Sequence, residues 1–98
     1  MITNIVVAVT TAYCSCSLCC SKPNQPCANG HKPRAHYTLA ASRSIPFGSL
    51  VIINNQKYVV EDRLAKQFDK RFDIYMDSHK EALKFGKQTN TVTIITKQ

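Results

Sequence analysis

Acid is scarce in this chain of 98 residues. Six Asp and Glu stand against thirteen Lys and Arg, a formal net charge of +7. So basic a balance favours a polyanionic partner: nucleic acid, an acidic membrane surface or an acidic cell-wall polymer. A solvated basic surface with no specific partner is the plainer alternative. Long hydrophobic runs are missing too. The longest, IVVAV (5–9), is far below the roughly 20 residues that carry a helix across a bilayer, so no membrane-spanning helix is expected. The same run lacks the basic start and the length of an export signal. An exported form would therefore be a mature chain without its leader, or one that leaves by another route. Internal repeats and low-complexity tracts are absent. Aromatic residues rarely interleave with the Lys and Arg residues, which argues against a nucleic-acid-binding barrel. The apolar fraction of 44% argues against disorder, and the length suits one domain over 1–98 with a modest core.

What acid there is lies together. Glu61, Asp62, Asp69, Asp73 and Asp77 account for five of the six carboxylates. Asp62 falls at the end of one expected strand and Asp73 within another, with a loop between. On neighbouring strands the two carboxylates would share a cleft, where like-charge repulsion raises one pKa and makes a proton donor. The alternative is a solvated loop whose acids pair with Lys66, Lys70 and Arg71.

Six strands and one helix are expected. NIVVAVTTAY (4–13) is rich in β-branched residues and reads as a buried strand. TLAAS (38–42), SLVIIN (49–54), KYVVED (57–62), RFDIYMD (71–77) and TVTIIT (91–96) supply the others. Asn54-Asn55-Gln56 turns one hairpin, and Pro46 and Gly48 shape the turn before it. In RFDIYMD the alternation sets Asp73, Tyr75 and Asp77 on one face. Ser78-x-x-Glu81 reads as a capping box, with Gly86 as the C-terminal cap of HKEALKF. The sum is all-β with one short helix, a barrel rather than a sandwich.

Cys14, Cys16, Cys19, Cys20 and Cys27 crowd into a long loop over 14–36. Disulfides, zinc or free thiols all remain open for this C-x-C-x2-C-C-x6-C pattern, which does not match the paired C-x2-C spacing of zinc sites. Nothing orders a base beside a particular thiol. His79 is expected to face solvent, and His31 and His36 belong to the loop, either lining a cleft or without a role.

VEDRLAKQFDKRFDIYMDSHKEALKFG and TLAASRSIPFGSLVII resemble the three-aspartate (3D) domain. TAYCSCSLCC resembles the Cys-rich opening of a bacterial and phage branch of that family. The most specific motif is D-x10-D-[IL]-Y-x-D-S followed by a helix ending in Phe-Gly, and the resemblance runs from about Thr11 to Ile95. It implies a six-stranded double-psi β-barrel, similar to the catalytic domain of membrane-bound lytic transglycosylase A and to stationary-phase survival proteins, and more distantly to rare lipoprotein A and expansins.

The resemblance places the catalytic aspartate at Asp73 and its companion at Asp62. The family's third aspartate is absent: Ala41-Ser42-Arg43 stands there, with Ser42 as the nearest polar replacement. Arg63-Leu64-Ala65 stands where members often carry Thr-Gly-Gly. The implied reaction cleaves the β-1,4 bond between N-acetylmuramic acid and N-acetylglucosamine and forms a 1,6-anhydro ring. A two-carboxylate hydrolase would leave a reducing end instead. Tyr75, Asp77, Ser42 and Arg71 are the expected substrate-binding residues, with Tyr58 an alternative sugar-stacking group. Lys66, Lys70, Arg71 and Lys80 would steer the anionic wall. No cofactor and no metal at the acid pair are expected. The expected partner is a peptidoglycan glycan strand, met by a monomer that is secreted, held in the cell envelope, or phage-encoded and wall-acting. A barrel that binds wall glycan without cleaving it, as expansin-like proteins do, is the alternative reading.

Overall fold

The computed structural model describes residues 1–14, 30, 32–64, 67 and 70–96. Cys16, Cys19, Cys20, Cys27, His31, Lys66 and Asp69 lie outside the described residues. Six strands and a helix follow in order: β1 (Ile2–Tyr13), β2 (Thr38–Ala41), β3 (Leu50–Ile53), β4 (Gln56–Arg63), β5 (Arg71–Tyr75), α1 (His79–Phe85) and β6 (Gln88–Thr96). They close into a mixed barrel in the order β1-β5-β2-β4-β3-β6. Pairs β1/β5 and β2/β4 are parallel, and the other four are antiparallel. The described residues are thus mostly β with one short helix. No helix among the described residues is long and apolar enough to cross a membrane.

Alternation explains the barrel wall. Leu39 and Ala41 of β2, Val51 and Ile53 of β3, Tyr58 and Val60 of β4, Phe72 and Ile74 of β5, and Val92 and Ile94 of β6 point inward into one cluster with Met76. A period of two sends their neighbours outward, so Asp73, between Phe72 and Ile74, faces away from that core. The β3–β4 hairpin turns on Asn54 and Asn55, at φ 51° and 65°. Two consecutive left-handed residues give a two-residue turn whose twist matches the strands, and Asn tolerates that backbone well. Gln56, expected in the turn, is the first residue of β4 instead. Gly48, at φ 85°, completes the turn after Pro46, where its N–H donates to Val60 O at 2.9 Å.

Three further expectations need correction. β1 is not buried along its length: Ile5 and Val7 are 68% and 72% exposed. The strand outruns its neighbour, pairing with β6 over Ile2–Thr10 but with β5 only over Val9–Tyr13. RFDIYMD does not carry its alternation to Asp77, because β5 ends at Tyr75 and the exposed Asp77 lies between strand and helix. His79 is half-buried rather than solvent-facing, with Nδ1 4.0 Å from the buried Cys14 Sγ. The helix starts and stops where expected. Ser78 Oγ accepts from Glu81 N–H at 3.1 Å, and Gly86 N–H donates to Ala82 O at 3.2 Å. The Glu81 carboxylate reaches His36 Nε2 at 3.3 Å.

Candidate active site

The two aspartates meet through β2. Ala40 is the register partner of Asp73 on β5 and of Asp62 on β4. Asp73 is in turn level with Thr11 on β1. Thr11, Asp73, Ala40 and Asp62 therefore form one outward row across four strands, with the aspartates two strand spacings (about 10 Å) apart at the backbone. Ala40, between them, is 3% exposed and puts only a methyl group between the two acids.

A bulge makes this row possible. Leu39 pairs with Val60 and Ala40 with Asp62, so Glu61 is an extra residue in β4. Without it, strict alternation would send Asp62 to the face opposite Asp73; a bulge re-aims the side chains that follow it. Glu61 itself is 3% exposed and accepts from Thr38 Oγ1 at 2.7 Å, with Arg34 Nη2 at 3.7 Å. It is a buried anchor for residues 34–38, not a member of the acid row.

Asp73 is the perturbed group. Its carboxyl is raised from an ordinary 3.8 to about 6. Burial is the largest cause, because the charged form loses water. Asp62 adds like-charge repulsion, while the Thr11 hydroxyl and Arg71 pull the other way. Thr11 Oγ1 donates to Asp73 Oδ1 at 3.0 Å. Asp62 is held separately: its Oδ1 accepts from Arg63 N–H at 2.9 Å, and its Oδ2 accepts from Tyr13 Oη at 3.1 Å. The Tyr13 ring meets Tyr75 edge-on, with centroids 5.3 Å apart at 74°.

Tyr13 went unnoticed in the sequence because it comes from β1, forty-nine positions from Asp62. Its only local signal is a place two residues beyond Thr11 on the same strand face. Tyr75, next outward after Asp73, is 7% exposed. Arg71 opens β5 two residues before Asp73, on the same face, and is half-buried. Ser42 follows β2, with its Oγ 2.7 Å from Ser44 Oγ. Arg63 crosses beneath that turn, donating to Ser42 O at 3.3 Å and Ile45 O at 2.8 Å and stacking on Phe47 at 3.8 Å. The Ile-Pro turn is thereby pinned to the end of β4. Tyr58 is not near the row: it is a core residue, 5% exposed, whose hydroxyl donates to Gln56. Lys70 and Lys80 are exposed.

The arrangement has a carboxyl that keeps its proton up to about pH 6, a second carboxyl level with it, and a phenol hydrogen-bonded to the second. Such a set can give and take back one proton at a group brought within reach of Asp73. Among the described residues no group of three His, Cys, Asp or Glu could hold a metal ion. Comparison with protein-family models finds no match, and comparison with curated proteins finds none either.

Proposed function

We propose that this protein is a peptidoglycan lytic transglycosylase with Asp73 as its general acid and base. One observation carries the reading: the Asp73 carboxyl, raised to about 6, lies level with Asp62 on the barrel's outer face. A proton donor for a glycosidic oxygen must hold its proton in part of the population at working pH, and burial, with Asp62 adding like-charge repulsion, raises that fraction well above an ordinary carboxyl's. The closed six-stranded barrel is also compatible with the double-psi architecture that the 3D-domain resemblance implies.

In this mechanism Asp73 protonates the oxygen between N-acetylmuramic acid and N-acetylglucosamine as the bond to C1 breaks. Asp73, now ionised, takes the proton from the C6 hydroxyl of the same muramic acid unit. That oxygen bonds to C1, closing the 1,6-anhydro ring with no water consumed. The Thr11 hydroxyl orients the carboxyl through Oδ1. Asp62 favours the protonated form at rest and the positive charge that develops at C1. Tyr13 keeps Asp62 in place. Arg71, Tyr75, Asp77 and Ser42 flank the path of the strand. The chemistry needs no cofactor, and the basic surface would draw the enzyme to an anionic wall. Such a protein works at the cell wall, secreted, in the envelope, or as a phage product.

A second reading has one observation in its favour. Ser42 stands where the third aspartate of the resembled family belongs, and its hydroxyl is engaged with Ser44. A barrel lacking that acid fits a module that grips wall glycan without cutting it. Purified sacculi incubated with wild type and Asp73→Asn separate the two. The transglycosylase releases soluble fragments, and the variant loses at least about 100-fold of that rate, the usual share of a general acid, while still sedimenting with the wall. Equal release by both proteins would remove Asp73 from the mechanism. Binding by both with release by neither would establish the gripping module.

A further inference from the structure

Among the described residues the far end of β1 has an open edge. Over Ile2–Ala8 its pairing partner is β6, and no described strand pairs with its other edge, since β5 joins only from Val9. Apolar side chains stand out on both faces there. Ile5 and Val7 project to one side, and Ile2 and Val6, 40% and 39% exposed, to the other. An unguarded edge of this kind is a template for another strand, and natural sheets commonly guard such edges with Lys, Pro or a bulge. This edge has none of these. Residues 1–21 contain no Asp, Glu, Lys, Arg or His and no proline, and the neighbouring stretch Thr91–Thr96 of β6 contains none either.

We propose that this edge pairs with the same edge of a second copy, antiparallel about a two-fold axis, to form a homodimer. Charge selects the occupant. The molecule carries +7, so two copies repel wherever their Lys and Arg surfaces approach, and β1 is where they meet without charged side chains. An anionic polymer would find no basic side chain on this strand, whereas an uncharged β-branched strand matches it in both hydrogen bonding and side chains, and a second β1 is such a strand. Symmetry then limits the assembly. Each copy offers one edge, two-fold pairing uses both, and growth stops at the dimer. The contact leaves the acid row clear, because Ile5 is six residues, about 20 Å of strand, from Thr11. This departs from the monomer expected from the sequence, and it does not depend on the proposed reaction.

A seven-residue edge falls short of the ~1,600 Å² of a standard stable interface, so a weak dimer is expected and concentration is the variable to scan. Sedimentation velocity on the full chain, with reductant present to exclude cysteine crosslinks, would run up to about 1 mM, where even a millimolar association is half formed. The dimer fraction rises with concentration and rises again with added salt, because salt screens the repulsion between like-charged copies. Val7→Lys and Ile5→Lys, both at exposed positions, remain folded by circular dichroism and stay monomeric at concentrations where wild type has dimerised. Amide exchange in residues 2–8 slows with concentration in wild type and not in the variants. A wild type that is monomeric throughout overturns the proposal. So do lysine variants that dimerise like wild type, and so does open-ended growth beyond two copies.

Discussion

Ionising Asp73 places a negative charge in a half-covered row beside Asp62, and the protein resists it by holding the pKa near 6 against an ordinary 3.8. The consequence for stability has a definite sign. Between those two values the folded state binds more proton than the unfolded chain, so stability is complete below about pH 4 and falls as pH rises through 6. The loss is on the order of 3 kcal/mol, because each tenfold difference in proton affinity between the folded and unfolded chain corresponds to about 1.4 kcal/mol. Asp73→Asn removes the charge and keeps the shape. In denaturant melts it is expected to match wild type near pH 4 and to exceed it by about 3 kcal/mol at pH 7.5. A variant less stable than wild type at pH 7.5 would mean that the ionised carboxylate is satisfied and poorly suited as an acid. At this scale the sequence was partly legible. The alternation in RFDIY marks Asp73 as outward, and the gathering of acids marks the region. Tyr13 and Thr11 were not legible as partners, because their contacts depend on β1 lying parallel to β5.

Strands and turns were the most readable elements, since each follows from a local pattern: β-branched runs, the Asn-Asn turn, the Ser78 cap. What depends on a distant neighbour was hidden. A β-branched run reads as buried whether or not a strand covers it, and β1 outruns β5. Glu61 looked like one more acid of the cluster, yet the β2–β4 register makes it the bulge that sets Asp62 beside Asp73. The same position gives Glu61 a structural load through Thr38 and Arg34. Glu61→Ala leaves the buried Thr38 hydroxyl without its acceptor and opens a gap beneath residues 34–38. A cost of about 2–3 kcal/mol is expected. The exposed Asp77→Ala should change stability by less than about 0.5 kcal/mol in the same denaturant series. Equal effects for the two would deny the bulge its anchoring role.

Across the whole molecule, barrel closure accounts for both features that matter. Bringing β2 between β4 and β5 lines up two acids from separate strands, and starting β5 at Arg71 leaves the outer half of β1 without a second strand partner among the described residues. The acid row and the uncharged edge thus lie toward opposite ends of β1, on a molecule of net charge +7. A six-strand barrel was legible from strand count and chain length; the strand order was not, because it is set by which strands meet rather than by any one of them. The most direct test of the proposed chemistry is mass spectrometry of the fragments released from purified peptidoglycan. A lytic transglycosylase leaves 1,6-anhydro-muramyl ends, lighter than hydrolysed ends by one water, and they should appear with wild type and vanish with Asp73→Asn. Reducing ends in their place, or no fragments from a folded protein that binds the wall, would contradict it.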